Sequence, residues 1–399
     1  MKITAAVVRE KFSPFVIDTV ELAEPRPDEL LVRVVASGMC HTDLHGRDGY
    51  FQIPYPAVFG HEGGGVVERV GSAVTEFAAG DHVIMAFPFC GVCPNCHAHM
   101  PAHCMDSVKL KGSGTRADGS TLMEKDHAPV YSAFFQQSSF GTFAIANERF
   151  AVKVRNDAPL ERLGAMACGM QTGAGAVFNA MKPDPGDAIV VFGVGGVGLS
   201  ALMAAKLAGC DPIIAVDVQE SRLELARELG ATHTIDHSKE SDVVGAIRRI
   251  TRYGVKFSVE TSARPEILRE AVECLMPLGT AILLGSARKG TEVSLEMPLL
   301  QDGRAIRGVI QGWSEPKKFL PHLVDLMMEG KFPAEKLMTF YPLAEINQAA
   351  EDAATGKTIK PVLLMPHCSE RGRAASALAV VGGLDPPTHS DSPPLWRLT

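Results

Sequence analysis

The chain has 399 residues, 46% hydrophobic and 21% charged, with a formal net charge of −7. That length exceeds one compact core and implies two domains, no apolar run approaches the about 20 residues of a membrane span, and the negative balance argues against non-specific adhesion to nucleic acid or anionic membrane. Nine cysteines, an odd number, fit metal ligation in a reducing compartment better than a secreted disulfide framework, and Met1-Lys2-Ile3-Thr4-Ala5-Ala6-Val7-Val8 reads as a first strand, so a cytoplasmic protein is expected.

Residues 1–35 alternate apolar and polar positions around Pro25 and Pro27, and 66–71 and 81–85 continue the pattern, which predicts a β-rich domain over residues 1–155. Inside it, Cys40-His41-Thr42-Asp43-Leu44-His45 and Gly60-His61-Glu62-Gly63-Gly64-Gly65 gather a thiol, imidazoles and carboxylates into two short segments. Taken singly, each of these is more often a core residue. Together they match a reactive zinc site, which takes three protein ligands and leaves a fourth position open. Cys40 and His61 are two candidate ligands, and Cys168, in Ala167-Cys168-Gly169-Met170-Gln171-Thr172-Gly173, is the best third. Only folding could bring it close.

Cys90, Cys93, Cys96 and Cys104 follow the spacing C-x₂-C-x₂-C-x₇-C. Four thiolates on so short a lobe suit closed tetrahedral zinc, whose role would be structural; an iron–sulfur cluster or redox thiols are the alternatives. Between 109 and 137 the chain turns polar and glycine-rich before it becomes aromatic, and the first part of this stretch is expected to be an exposed loop. Phe134, Phe135 and Phe140 then read either as core or as the wall of a cleft.

From Ala188 the pattern becomes strand–helix alternation. Ala188–Phe192 is a continuous apolar run, Gly193-Val194-Gly195-Gly196-Val197-Gly198 follows at once, residues 199–207 read as a helix, and a second apolar strand ends in Asp217. In that context the glycine pattern is a dinucleotide fingerprint: Gly193 for the tight turn, Gly195 for backbone approach to a pyrophosphate, Gly198 for packing of helix on strand. Asp217 can hydrogen-bond a ribose and would repel a 2′-phosphate, favouring NAD over NADP. Arg222 lies against the nucleotide or is simply solvated. Ser221 and Glu224 suggest a capping box, and strands at 257–260 and 280–285 complete a doubly wound parallel sheet over 156–290. Helices at 316–328 and 343–355 would return the chain to the first domain, so that 291–366 belongs with 1–155. The tail 367–399, with Pro386-Pro387 and Pro393-Pro394, is expected to be disordered.

These three motifs resemble the medium-chain, zinc-dependent alcohol dehydrogenase family across residues 1–366, and Ser138-Ser139-Phe140-Gly141-Thr142-Phe143 is most similar to its bacterial aryl-alcohol (benzyl alcohol) branch. The resemblance implies a GroES-like catalytic domain beside a Rossmann domain, one NAD and two zinc ions per chain. It implies that Cys40, His61 and Cys168 hold the catalytic zinc and that Cys90, Cys93, Cys96 and Cys104 hold the structural one. Asp43 would stand behind the ligands, Glu62 would approach the metal, Thr42 and His45 would relay the proton, His41 would contact the cofactor phosphates, and Thr172 the nicotinamide. Gly196 and Val197 complete the nucleotide loop. Phe51, Phe87 and Phe140 are candidates for an aromatic substrate pocket from their place near the zinc motifs. The implied reaction is reversible hydride transfer from a primary, benzyl-type alcohol to NAD⁺, with no nucleic-acid or membrane partner and a homodimeric or homotetrameric assembly. Rivals are an S-hydroxymethylglutathione or aliphatic alcohol dehydrogenase and, from another class, a non-catalytic NAD- or zinc-binding protein.

Overall fold

The strand Glu29–Gly38 is buried almost throughout, because both its edges are paired and both its faces are covered. In a computed structural model of the chain, which describes residues 1–366, this strand is the axis of the first domain. Its first half lies between Glu62–Val70 and Phe143–Asn147, and its last residues lie between Glu62–Val70 and Lys360–Leu364. Gly38 faces Glu62 on one side and Val362 on the other. Three segments far apart in sequence therefore end beside Cys40. A second, five-stranded sheet, Ala57–Val58, Lys2–Val8, Phe15–Leu22, Met123–Lys125 and Ala128–Val130 in that order, shares one hydrophobic core with the first.

The second domain is a six-stranded parallel sheet in the order His233–Asp236, Ile213–Asp217, Ile189–Phe192, Val255–Glu260, Leu275–Leu283, Ala305–Gly308. Ile189–Phe192 is buried at every position, as its uninterrupted apolar run requires. The order reverses around this strand, which places a ligand crevice at its carboxyl end. Gly193, at φ +82°, makes the turn there, and the helix Gly196–Leu207 follows.

Several expectations need correction. The parallel sheet runs past residue 290 to Ala305–Gly308, so that strand sits with the nucleotide domain rather than with the first. Helix Pro316–Met328 shares a core with the nucleotide domain and with Ile84 and Val152 of the first domain, packing between the two. The first part of 109–137 is not an exposed loop: it holds the end of helix Ser107–Gly112 and a hairpin, and Arg116 is buried against Glu29 at 2.7 Å. No Ser221 cap forms, since the helix Glu220–Leu229 begins one residue earlier; Asp217 Oδ1 instead accepts from the N–H groups of Val218 and Gln219. The tail 367–399 lies outside the described residues. No helix among the described residues is long and apolar enough to cross a membrane.

Candidate metal centres and the nucleotide cleft

Cys40 sits at the turn from strand Glu29–Gly38 into helix His41–Arg47, and His61 precedes strand Glu62–Val70. Cys168 arrives from the second domain. Its approach depends on Gly164, where a Cβ would lie 2.4 Å from the Glu62 carbonyl oxygen. The ligand atoms of Cys40, His61, Glu62 and Cys168 all lie within 4.8 Å of one another. Folding thus brings Cys168 beside Cys40 and His61.

Asp43 fixes the imidazole. Its Oδ1 accepts from His61 Nδ1 at 2.8 Å and from the Gly60 N–H at 3.1 Å, while Oδ2 accepts from the Cys40 N–H at 2.9 Å. With Nδ1 carrying the proton, Nε2 presents its lone pair, and it faces Cys168 Sγ at 3.2 Å. Burial opposes a charged imidazole here, yet the Asp43 carboxylate and the Cys40 thiol carry His61 up to about 10. The Cys40 thiol is held well below its ordinary value by hydrogen bonding from Cys168, against burial and with help from His61. Soft, deprotonable donors clustered so tightly fit zinc, which would replace the protons that now hold them together.

Glu62 has a partner that sequence reasoning missed. The Lys360 ammonium, 4% exposed, donates to both its oxygens at 2.7 and 2.9 Å. Burial pushes the Glu62 carboxyl up to about 7 while Lys360 works the other way. The lysine keeps this carboxylate engaged beside the cluster.

The four cysteines of the second cluster are also free thiols within ligand distance of one another. Backbone N–H groups of Val92 and Cys93 point at Cys90 Sγ at 3.4 and 3.3 Å, that of Cys90 at Cys104 Sγ at 3.1 Å, and that of Met105 at Cys93 Sγ at 3.5 Å. The Met105 and Cys96 N–H groups draw the Cys93 thiol down to about 6, whereas burial and its thiol neighbours push Cys96 up to about 12. The set cannot ionise together without a cation, as a closed zinc site demands.

A cleft of about 370 Å³ runs from Cys40 along the carboxyl end of the parallel sheet. Its walls include the expected His41, Gly193, Gly195, Gly196, Val197, Asp217 and Arg222, together with Lys360 and His237, which were not expected. A Cβ on Gly198 would lie 2.0 Å from the Gly193 carbonyl oxygen, whereas Gly195 and Gly196 have no neighbour closer than 3.9 and 3.7 Å. The loop is therefore tight behind and open in front, which fits a pyrophosphate. Asp217, 8% exposed, also accepts from the Val194 N–H at 2.8 Å and so braces the loop. Thr172 lies a turn beyond Gly169 and is not on the cleft wall. Thr42 Oγ1 accepts from Cys40 Sγ at 3.6 Å, and His45 stacks on Tyr50 at 5.2 Å.

Of the phenylalanines, Phe135 lies against the His61 ring at 4.5 Å and Phe134 meets it edge-on at 5.7 Å. Phe51 packs on Phe134 at 5.4 Å. Phe87 is buried near Phe89. Phe140 has no exposed surface and packs edge-on against Phe15, so it belongs to the core of the first domain and lines no water-sized cavity. Gln137, unremarked in the sequence, accepts from the Gly63 N–H and donates to the His61 carbonyl at 3.0 Å, tying the phenylalanine segment to the ligand strand. Phe135, Gln136 and Ser138 all adopt positive φ to allow this.

Comparison with known proteins agrees with this geometry. Residues 26–154 match the alcohol dehydrogenase GroES-like domain and residues 196–327 the zinc-binding dehydrogenase domain. The chain is 41% identical over 362 residues to geraniol dehydrogenase of Castellaniella defragrans, covering 90% of this chain and 97% of the relative. Among solved structures, benzyl alcohol dehydrogenase of Acinetobacter calcoaceticus superposes with a TM-score of 0.88 at 45% identity, covering 92% of this chain and 99% of the other. An alcohol dehydrogenase zinc-binding domain protein of Burkholderia ambifaria gives 0.90 at 47% identity, covering 92% and 100%. With domain matches on both halves and identity sustained along nearly the whole of a relative, the chain belongs to the zinc-dependent medium-chain alcohol dehydrogenase family.

Proposed function

We propose that this dehydrogenase oxidises primary aryl alcohols of the benzyl type to the aldehydes, reversibly, with NAD⁺ as hydride acceptor. The observation that carries the reading is the group of phenylalanine rings set against the imidazole of His61. Phe51 and Phe87 extend the apolar wall that receives the substrate ring. Aromatic faces pack well on aromatic faces and gain beyond area burial.

When bound, zinc would supply Lewis acidity toward the alcohol hydroxyl and the nicotinamide would supply a hydride acceptor. Cys40, His61 and Cys168 would hold the metal, and Asp43 keeps His61 in the ligating tautomer. Thr42 Oγ1 accepts the hydroxyl proton in exchange for its own, and His45 takes it at the edge of the site. Burial, and then the neighbouring His41, hold the His45 imidazole below its ordinary value, so it is a free base at neutral pH. Lys360 holds Glu62. His41 would lie along the cofactor phosphates, and Asp217 with Arg222 would receive the adenosine ribose. The Asp217 carboxylate favours NAD over its 2′-phosphorylated form.

The exposed edge strand Ala305–Gly308, with Ile306 and Ile310 open beside it, supports pairing of two copies into a dimer or tetramer. A second substrate class, acyclic allylic alcohols, is favoured by the geraniol dehydrogenase relative. The test is NADH formation with benzyl alcohol, cinnamyl alcohol, geraniol and ethanol on protein of known zinc content. Highest kcat/KM on benzyl alcohol supports the aryl reading. Preference for geraniol selects the second class, and preference for ethanol rejects both.

A further inference from the structure

Lys111 is the penultimate residue of the short helix Ser107–Gly112 and is partly buried. Its ammonium has no carboxylate and no hydrogen-bond acceptor within reach among the described residues. It lies instead over the rings of Phe87 at 5.9 Å and Phe135 at 5.8 Å. Phe135 is the ring that lies tilted against His61. The next residue, Gly112, abuts Phe51, whose ring a Cβ there would meet at 3.0 Å. The helix is held in place from the aromatic segment, since Gln136 Nε2 donates to the Leu110 carbonyl at 3.1 Å.

A partly buried ammonium without a carboxylate partner loses part of its hydration, and the compensation nearest to it is the electron-rich face of a ring. Phe87 and Phe135 supply two such faces, both near the limit of useful range. Burial pulls the Lys111 ammonium below its ordinary value, and the thiols of Cys168 and Cys104 pull it back.

We infer that Lys111 is a specificity-determining residue that, with Phe87 and Phe135, forms a cation–π cage completed by the substrate's own π-face. The inference rests on the aryl or allylic reading above and names the group that enforces it. A saturated ring of the same size fills the same space and leaves the ammonium unsatisfied. Selection is then for π-electrons and not for bulk.

The experiment compares kcat/KM for benzyl alcohol and cyclohexylmethanol in wild type, Lys111→Met and Lys111→Arg, each at determined zinc content. Lys111→Met should lower the benzyl-to-cyclohexylmethyl ratio about 3- to 30-fold, and Lys111→Arg, still cationic, should retain most of it. In wild type alone, toluene should inhibit competitively more tightly than pentafluorotoluene, whose ring face is electron-poor; this measurement needs no variant to fold. Equal inhibition by the two, or an unchanged ratio in Lys111→Met, overturns the inference. So does loss of metal from the four-cysteine cluster in Lys111→Met with the ratio intact, which would make the lysine a counter-charge to those thiolates. Faster turnover of 4-(hydroxymethyl)benzoate than of benzyl alcohol would make it an ion-pair partner and likewise overturn the inference. A wild type inactive on all these alcohols removes the proposed function and the inference together, whereas an active wild type with an insensitive ratio removes the inference alone.

Discussion

Replacing Asp43 by Asn tests whether orientation of His61 governs the catalytic metal. The carboxylate accepts three hydrogen bonds, two on Oδ1 and one on Oδ2. An amide can keep its oxygen at the Oδ1 position, facing His61 and Gly60, only by turning its NH₂ toward the Cys40 N–H, donor against donor. One buried N–H then goes unsatisfied, at about 1–3 kcal/mol, and the bond to His61 loses its charge assistance. Part of that loss is shared with the metal-free protein, so the zinc affinity of this centre should fall about 10- to 100-fold. Competition with a chromophoric chelator measures it, and the four-cysteine cluster of the same molecule is the internal reference. Asp43→Ala, which removes all three acceptors, should fall further. Zinc affinity in Asp43→Asn within about twofold of wild type would refute the orientation argument. Equal weakening of both centres would also refute it, by showing that the change acts on the fold and not on His61.

Lys360→Met should destabilise the protein by about 3–5 kcal/mol, because Glu62 is left buried and unpaired, and Glu62→Gln combined with Lys360→Met should recover much of that loss; denaturant unfolding compares them, and a neutral single variant rejects the pairing. Gly173→Ala should be strongly destabilising, since its Cβ would lie 2.0 Å from the Val197 carbonyl oxygen, whereas Gly196→Ala, with nothing nearer than 3.7 Å, should keep the wild-type melting temperature. Equal melting temperatures in the two would show that the helices separate freely. For His45, a lowered pKa means that the neutral, proton-accepting form persists below the ordinary 6.5, so kcat/KM for alcohol oxidation should fall only on the acid side of that value. His45→Gln should lose that limb, and a pH profile unchanged by the substitution would remove His45 from the relay.

The nucleotide domain was legible because its signals are local: a four-residue apolar strand, a glycine turn and a helix adjoin one another in sequence. The four-cysteine cluster was legible for the same reason. Lys360 was not, since its partner Glu62 lies 298 residues away and a lone lysine in a strand gives no sign of being buried. Charges concealed the true character of 109–137 as well: Arg116 looks solvated until Glu29 is found beside it, and strands of three residues are too short to show periodicity. Phe140 misled because closeness to a motif along the chain says nothing about whether a ring turns toward the site or into the core.

The strand Lys360–Leu364, laid beside Gly38, gives the two metal centres different histories during synthesis. Four cysteines within fifteen residues can close on an ion soon after they emerge from the ribosome. The other centre must wait for Cys168, and Glu62 must wait for Lys360, 298 residues later. At about 5–20 residues per second that interval is about 15–60 s, during which the central strand has a bare edge and a buried carboxylate has no counter-ion. The lobe that stiffens the domain is ready early, and the centre that carries the chemistry is the last part of it to close.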